Sequence, residues 1–151
     1  MPVFIDILNG EKLSELLYNL KPDAIPLWGT MSAQHMIEHL VEQVGYTNGN
    51  KLAALELSLE EALHKKQVFI YSDFELPKGA LSHLPLNEIK CTDLQTAIIS
   101  LKKELETFHQ HFKTEGITAI HGGFGAMNCN EWVIWHGKHF THHFKQFGLW
   151  P

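Results

Sequence analysis

The last 24 residues of the chain, 128–151, read NCNEWVIWHGKHFTHHFKQFGLWP. Asn128 followed three positions later by Glu131 matches a capping box, in which each side chain caps the backbone of the other residue at the start of a helix. The stretch therefore predicts a helix over about residues 129–147. Four histidines fall inside this helix: His136, His139, His142 and His143.

Two of these histidines have the spacing of a metal site. His139 and His143 are four residues apart, so they lie on one face of the helix, one turn above the other. At about 100° per residue, both lie within about 20° of Trp132, and His136 lies about 40° from it, on an aromatic face that we expect to be buried. A buried imidazole without a partner costs about 1–3 kcal/mol. One metal ion would satisfy two or three of these rings together, and hydrogen bonds to neighbouring side chains are the alternative.

A third ligand must come from another part of the chain, and His39 is a candidate. It lies in a predicted second helix whose apolar side chains form one stripe. In helical projection, His39 lies about 130° from the centre of that stripe, at its flank. Glu38 and Glu42 on the same helix are interpreted as a solvated face.

The other basic side chains are interpreted as peripheral. In projection, His142 lies off the aromatic face of the last helix, and Lys138 and Lys145 lie on its far side. His35 is interpreted as solvated or as a capping contact.

The glycine-rich run His121–Gly125 is interpreted as a flexible connection, because no preceding strand or following lysine supports a nucleotide-binding motif. The remaining histidines are assigned to the surface: His64, His83, His109 and His111.

Composition and charge narrow the class of protein. The chain has 151 residues, of which 44% are hydrophobic and 19% charged, as expected for one globular domain spanning residues 1–151. The net charge of −5, without a long basic run, argues against nucleic acid or an anionic membrane as the main partner. Cys91 and Cys129 are too few for a disulfide framework, so we expect a reduced, cytoplasmic setting. We expect neither a signal peptide nor a membrane span.

Three more helices are predicted in the first half of the chain. Leucines at i, i+3, i+4 and i+7 spacing predict a helix over about 11–20. Ser32 is the predicted N-cap of the second helix, which closes near 45–49. Ser58 matches the start of a capping box for a third helix. The apolar run 68–71 at its end is compatible with either a helix or a strand.

The fourth helix has the clearest pattern. Thr92 and Gln95 match a capping box, and Gly116 is a plausible C-cap. Apolar residues from Leu94 to Phe112 follow at spacings of 4, 3, 4, 3 and 4, which is a heptad-like seam. The longest loop is expected over 76–91. With no convincing strand pattern, these elements predict an all-α bundle with a long crossing connection.

Two motifs taken together resemble the DinB/YfiT-like superfamily, in particular a bacterial branch of it, over residues 13–147. One motif is WGTMSAQHMIEHL, at 28–40. The other joins Phe124-Gly to Glu131-Trp and to His139-x-x-His-His-x-x-Gln-Phe147. The resemblance implies a four-helix bundle with a long crossover.

The resemblance also implies a ligand set. Members of the superfamily hold a metal ion, usually nickel or zinc, with one histidine of the second helix and the His-x-x-x-His pair of the last. Carried onto this sequence by motif, the ligands are His39, His139 and His143. His136 lies beside this set as a candidate donor to it, and His142 receives no role.

The implied function is enzymatic. Three neutral ligands leave an open coordination position, which is typical of catalytic metal sites. Some relatives are thiol-dependent transferases or isomerases that use bacillithiol, mycothiol or glutathione. The expectation is a metal-dependent enzyme, a thiol S-transferase or a hydrolase. A transferase would combine an electrophilic small-molecule substrate with a low-molecular-weight thiol cosubstrate. No general base is assigned, and a homodimer is left open.

The alternative is a non-catalytic protein that binds metal or acts as a stress-linked binding module. The enzyme hypothesis and the module hypothesis predict different surroundings for the histidines. An open cavity at the cluster would favour the enzyme, whereas closure by Trp132, Trp135 and Phe140 would favour the module.

Overall fold

The computed structural model describes residues 2–49, 51–79 and 86–151. Within these ranges the chain is mostly helical, as predicted, with one small antiparallel sheet. None of the helices in these ranges combines the length and apolar character that a membrane span needs. The elements are α1 (Gly10–Tyr18), α2 (Ala33–Gly45), α3 (Leu59–Phe69), α4 (Leu94–His111), β1 (Ala119–His121), β2 (Gly125–Met127) and α5 (Cys129–Gln146).

The helix starts follow local capping rules, with one correction. The side chains of Ser32 and Ser58 cap α2 and α3 as predicted, and Asn128 forms both bonds of the predicted capping box at α5. The N-cap of α4 is Asp93 and not Thr92, because the Asp93 carboxylate accepts a 2.8 Å hydrogen bond from the backbone N–H of Thr96. A carboxylate also interacts favourably with the positive end of the helix dipole.

The observed ends of α3 and α4 decide two sequence predictions, the conformation of the run 68–71 and the C-cap of α4. The apolar run 68–71 begins inside α3, which ends at Phe69, so this run is not a strand. Helix α4 ends at His111 with Phe112 as its C-cap, so the prediction of Gly116 as C-cap was wrong. Gly116 lies beyond the helix, with a φ of +79° that favours glycine.

The glycine-rich run His121–Gly125 is part of a β-hairpin, so its interpretation as a connection without strands was wrong. Ala119 pairs with Met127 and His121 pairs with Gly125. Strands of three residues are too short to show an alternating pattern in the sequence. The hairpin is held partly by α5, because the Trp132 indole donates a 3.1 Å hydrogen bond to the Ala119 carbonyl.

Helices α2 and α4 run in the same direction. Near the start of both helices, the side-chain amide of Gln34 donates a 2.8 Å hydrogen bond to the Cys91 carbonyl. Just past the end of α2, the Asn48 amide donates to the carboxylate of Glu104, which lies in the second half of α4. Neighbouring parallel helices cannot be joined by a tight turn, so residues 46–93 form a long crossover that carries α3.

The returning end of this crossover is anchored on α2 by two carboxylates. Glu38 accepts a 2.6 Å hydrogen bond from the backbone N–H of Lys90, and Glu42 accepts a 2.6 Å hydrogen bond from the Asn87 amide. Glu38 and Glu42 therefore hold the crossover while they remain partly exposed, so the face that was interpreted as solvated also carries a structural contact.

Helix α5 runs antiparallel to α2 and passes through the core. His39 of α2 contacts His139, whereas Thr47, two turns later on the chain, contacts His136, which precedes His139.

One core joins the helices, as predicted from the leucine stripe and the seam. It includes Leu13, Leu16 and Leu17 of α1, Ile37, Leu40 and Val44 of α2, Ile98, Leu101, Leu105 and Phe108 of α4, and Trp132, Phe140 and Phe144 of α5.

The N-terminal segment fixes the position of α5. The backbone N–H of Ile5 donates a 2.7 Å hydrogen bond to Thr141 Oγ1. Its carbonyl oxygen passes so close to Gly137 that a Cβ there would lie 2.5 Å away. At the C-terminus, the Trp150 indole donates a 3.0 Å hydrogen bond to the Val3 carbonyl. Glycine at position 137 therefore allows a close crossing of two backbones on one side of α5.

Candidate metal centre

Three histidines from two helices converge between α2 and α5. The Nε2 atoms of His39 and His139 are 3.0 Å apart, and those of His139 and His143 are 3.1 Å apart. One ligand nitrogen from each of the three rings lies within 4.8 Å of the other two. His139 and His143 are each 8% exposed, and His39 is half-buried. The structure thus brings together the three histidines that the sequence motifs selected.

His39 reaches the cluster from the flank of the apolar stripe of α2. This helix contacts α4 and α5, so its buried surface is wider than one stripe. The helical projection measured only the distance from the apolar centre and therefore undervalued His39.

Gln146 fixes the tautomer of His143. Its Nε2 donates a 2.9 Å hydrogen bond to the Trp28 carbonyl, so its Oε1 is the atom that faces His143. His143 Nδ1 must then donate the 2.8 Å hydrogen bond to that oxygen. In a neutral imidazole the other nitrogen carries a lone pair, so His143 Nε2 directs its lone pair towards His139.

Hydrogen bonds between the rings cannot satisfy all three nitrogens. His139 Nε2 would have to donate a proton to His143 and accept one from His39 at the same time, and a neutral ring nitrogen does only one of these. At least one of the two short contacts, at 3.0 and 3.1 Å, therefore has no proton of its own: it opposes two lone pairs or two N–H groups, or it shares the proton of the other contact. In addition, His139 Nδ1 is buried and has no hydrogen-bond partner among the described residues.

A divalent cation would remove this conflict. Two nitrogens at about 2.0–2.1 Å from one ion, with bond angles between about 90° and 109°, are about 2.8–3.4 Å apart. The two short separations, 3.0 and 3.1 Å, fall within that range. Imidazole is a ligand that suits both zinc and nickel. The two ligand pairs that include His139 therefore fit such an ion, while the nitrogens of His39 and His143 lie within 4.8 Å of each other.

Electrostatics keep the three rings neutral and their lone pairs available. Burial lowers the pKa of His143 to about 3, with the charge of His39 as the next cause. Burial, followed by the charges of His143 and His39, holds the pKa of His139 well below its usual value. Burial also lowers the pKa of His39, against the opposing charge of Glu42. Neutral imidazole is the form that binds metal.

Two neighbouring side chains, Trp135 and Gln146, orient the cluster. The sequence had indicated Trp135 only as a side chain that could close the cluster, and Gln146 only as part of the last motif. The Trp135 ring stacks on His139, with ring centres 5.7 Å apart and planes 19° apart. Gln146 ties His143 to the loop before α2, because its backbone carbonyl also accepts a 2.7 Å hydrogen bond from the Leu27 N–H. Both lie one turn from a ligand on α5, and this spacing is the signal that could have found them.

The other candidates lie outside the cluster. His136 donates to Thr47 Oγ1 at 3.1 Å, since the Thr47 hydroxyl proton is used by the Val44 carbonyl, so its hydrogen bond does not support the three ligands. The His142 ring lies 5.0 Å from the His143 ring but is not part of the triad. His35 makes the predicted capping contact, at 2.8 Å from Ser32 Oγ. His83 lies outside the described residues.

Two cavities lie near α5, and the three histidines line neither of them. The larger one has a volume of about 430 Å³ and is lined by Gln43, Tyr46, His121, Trp132 and Trp135 among others. The smaller one has a volume of about 250 Å³ and is lined in part by His142. Gln43 and Trp135 each lie one helical turn from a member of the triad, His39 and His139 respectively, so the larger cavity adjoins the cluster.

No family model, curated protein or solved structure matches the chain. The histidine cluster and the surfaces beside it are therefore the features of the molecule that bear on its function.

Proposed function

We propose that His39, His139 and His143 bind one divalent metal ion, nickel or zinc, and that the protein is a metal-dependent enzyme acting on a small molecule. The observation that supports this proposal is that three neutral ring nitrogens lie close together without enough protons for each short contact to be a hydrogen bond of its own. Two of their contacts are 3.0 and 3.1 Å long, and neutral rings cannot give each of them a hydrogen bond with its own proton.

We further propose that the fold is a DinB-like four-helix bundle made of α1, α2, α4 and α5. Three observations support this assignment. Helices α2 and α4 are parallel neighbours joined by a long crossover, α5 is antiparallel to α2, and the histidines lie on the second and last of these four helices. Proteins of this class build metal sites from side chains on facing helices.

The reaction that we propose is the transfer of a low-molecular-weight thiol to an electrophile. When bound, the ion would lower the pKa of a thiol and hold it as a thiolate, in the position that three protein ligands leave open. In the transfer, the sulfur forms a bond to the electrophilic carbon, the leaving group departs with the bonding electrons, and the thiol proton passes to solvent. His39 is the most exposed of the three histidines, so solvent reaches the cluster from its side.

The larger cavity is the proposed substrate pocket. Its volume, about 430 Å³, lies within the range of about 300–1,000 Å³ that is usual for small-molecule sites. Tyr46, Trp132 and Trp135 supply aromatic walls, while Gln43 supplies a polar group one turn from His39. Trp135 would contact both the substrate and His139, which would couple substrate position to the cluster.

The non-catalytic alternative has one observation in its favour. The three histidines line neither cavity, and Trp135 stacks on His139 on the way to the larger one. A metal-binding module without turnover would need no cavity that reaches the ion.

The test combines metal analysis with a screen for activity. Protein purified without a histidine tag is analysed for bound metal. It is then assayed with bacillithiol, mycothiol, glutathione or coenzyme A and a chromogenic electrophile, with nickel, zinc or no added metal. We expect metal-dependent turnover that His143→Ala abolishes and that His64→Ala, at an exposed position on α3, leaves intact. Metal binding without turnover for any thiol would favour the metal-binding module. Absence of metal binding would overturn the metal site and the enzyme, and would leave the non-catalytic binding module as the better hypothesis.

A further inference from the structure

A second feature of α5 lies away from the histidine cluster. The smaller cavity, of about 250 Å³, is bounded by α5, the N-terminal segment, the loop before α2 and the segment after α3. Its lining combines apolar and basic side chains, including Phe4, Trp28, Leu76, Lys78, Lys138 and Lys145. The proposed metal enzyme uses none of these side chains.

Lys138 is buried in this lining, contrary to its assignment to the far side of the helix. It is only 4% exposed. Its ammonium group donates a 2.7 Å hydrogen bond to the Ser72 carbonyl and lies 4.9 Å from the centre of the Phe4 ring. The N-terminal segment and the segment after α3 cover it. A helical projection of α5 alone contains no information about these two segments.

Lys138 has no carboxylate partner. No carboxylate oxygen of the described residues lies within 4.0 Å of its nitrogen, and residues 1, 50 and 80–85 contain no aspartate or glutamate. Asp73 and Glu75 act on it only from further away. An ammonium group has three N–H donors, and Ser72 takes one of them. A buried cation without a partner is costly, so such groups are normally paired with an anion.

The charge around the cavity is positive although the chain is acidic. The lining contains three lysines and one glutamate, a net formal charge of +2, whereas the whole chain carries −5. Lys145 is paired with Glu75 at 2.9 Å, and Lys78 lies 5.5 Å from the centre of the Trp28 ring. Lys145 has a carboxylate partner and Lys78 lies over an aromatic ring, so Lys138 is the buried lysine of the lining whose charge is available to a ligand.

We propose that this cavity binds a small organic carboxylate, with the anionic group on the Lys138 ammonium and the apolar part against Phe4, Trp28 and Leu76. One unpaired ammonium matches a monoanion. The aromatic and aliphatic walls favour a hydrocarbon body over an inorganic ion. The volume, about 250 Å³, lies below the range of about 300–1,000 Å³ usual for drug-sized ligands, so the ligand is small.

Benzoate is a suitable probe, and benzamide is its neutral analogue of similar shape. Metal-free protein, treated with a chelator, is titrated with each compound at constant ionic strength and followed by ¹H–¹⁵N NMR. We expect benzoate to shift the Trp28 indole and Thr141 amide signals and to bind at least about tenfold more tightly than benzamide, because a hydrogen bond to a charged group is worth about that factor. Equal binding of the two compounds would overturn the proposal without any substitution.

Lys138→Met removes the charge and keeps the length of the side chain. We expect it to weaken benzoate binding at least about tenfold while leaving the melting temperature unchanged or higher, because an unpaired buried ammonium is lost. The matched control is Lys102→Met at an exposed position on α4, which should bind benzoate as the wild type does.

Three other results would count against this site: wild-type affinity in Lys138→Met, benzoate shifts confined to residues away from the cavity, or inorganic phosphate binding as tightly as benzoate. His143→Ala should still bind benzoate, so failure of the metal proposal leaves a distinct result from failure of this one.

Discussion

Replacing His139 by leucine tests whether this residue belongs to a metal site or is an ordinary buried histidine. His139 lies between the other two rings, is 8% exposed, and has a buried Nδ1 without a partner among the described residues. If the imidazoles serve the folded structure alone, the substitution should destabilise the protein. If they are kept for metal, the metal-free protein should tolerate it.

The magnitude follows from opposing terms. Removing the unpartnered nitrogen gains about 1–3 kcal/mol. Losing the stack on Trp135 costs about 0.5–1.5 kcal/mol, and losing one hydrogen bond between the rings costs about 0.5–1.5 kcal/mol. The metal-free variant should therefore range from about 2 kcal/mol less stable to about 2 kcal/mol more stable than the wild type. Added metal should stabilise only the wild type. At 100 times its dissociation constant it contributes about 2.7 kcal/mol, and at about 2–4 °C per kcal/mol this raises the melting temperature by about 5–11 °C.

Differential scanning calorimetry and urea unfolding, each with excess chelator or with zinc or nickel, measure both quantities. His64→Leu is the control, since His64 is exposed on α3 and should leave the metal-induced shift unchanged. If His139→Leu loses more than about 2 kcal/mol without metal while keeping the metal-induced shift, the metal-site hypothesis is wrong for His139, because the imidazole would then be structural.

Three further perturbations test the surroundings of the site. Gly137→Ala should lower the free energy of unfolding by about 1–3 kcal/mol in urea melts, because the new Cβ would lie 2.5 Å from the Ile5 carbonyl oxygen. Gln146→Ala should raise the dissociation constant for zinc about 10–100-fold in calorimetric titration, because His143 loses the group that orients it. The metal-free protein should lose stability as pH falls below 6.5, by about 1.4 kcal/mol per pH unit from His136 alone. Burial lowers the pKa of His136 to about 3, so in this interval the unfolded chain binds a proton that the folded chain does not.

Each of these predictions has its own control or contrary result. Gly10→Ala, where the added Cβ would meet nothing within 4 Å, should not destabilise the protein. Gln110→Ala, at an exposed position on α4, should bind zinc normally. The pH prediction fails if His136→Phe, studied with chelator, keeps the wild-type slope of unfolding free energy against pH between 4.5 and 6.5.

The sequence determined the features that depend on neighbours along the chain. The i, i+4 spacing of His139 and His143 places both rings on one face of any α-helix, whatever surrounds it. The capping box at Asn128 is local in the same way and was predicted together with its helix. The α4 cap shows the limit of such rules, because Thr92 and Asp93 are adjacent candidates and only the backbone conformation chose Asp93.

Tertiary structure decided everything that depends on which surfaces meet. His39 belongs to the cluster because α2 contacts α5 on the flank of its apolar stripe, and a projection of one helix contains no information about its neighbours. Lys138 was assigned to an outer face, yet chain segments distant in sequence bury it, since they cover that side of α5. The chemical identity of a side chain is local, but its partners and its exposure are set by long-range packing, and these decide whether it can act.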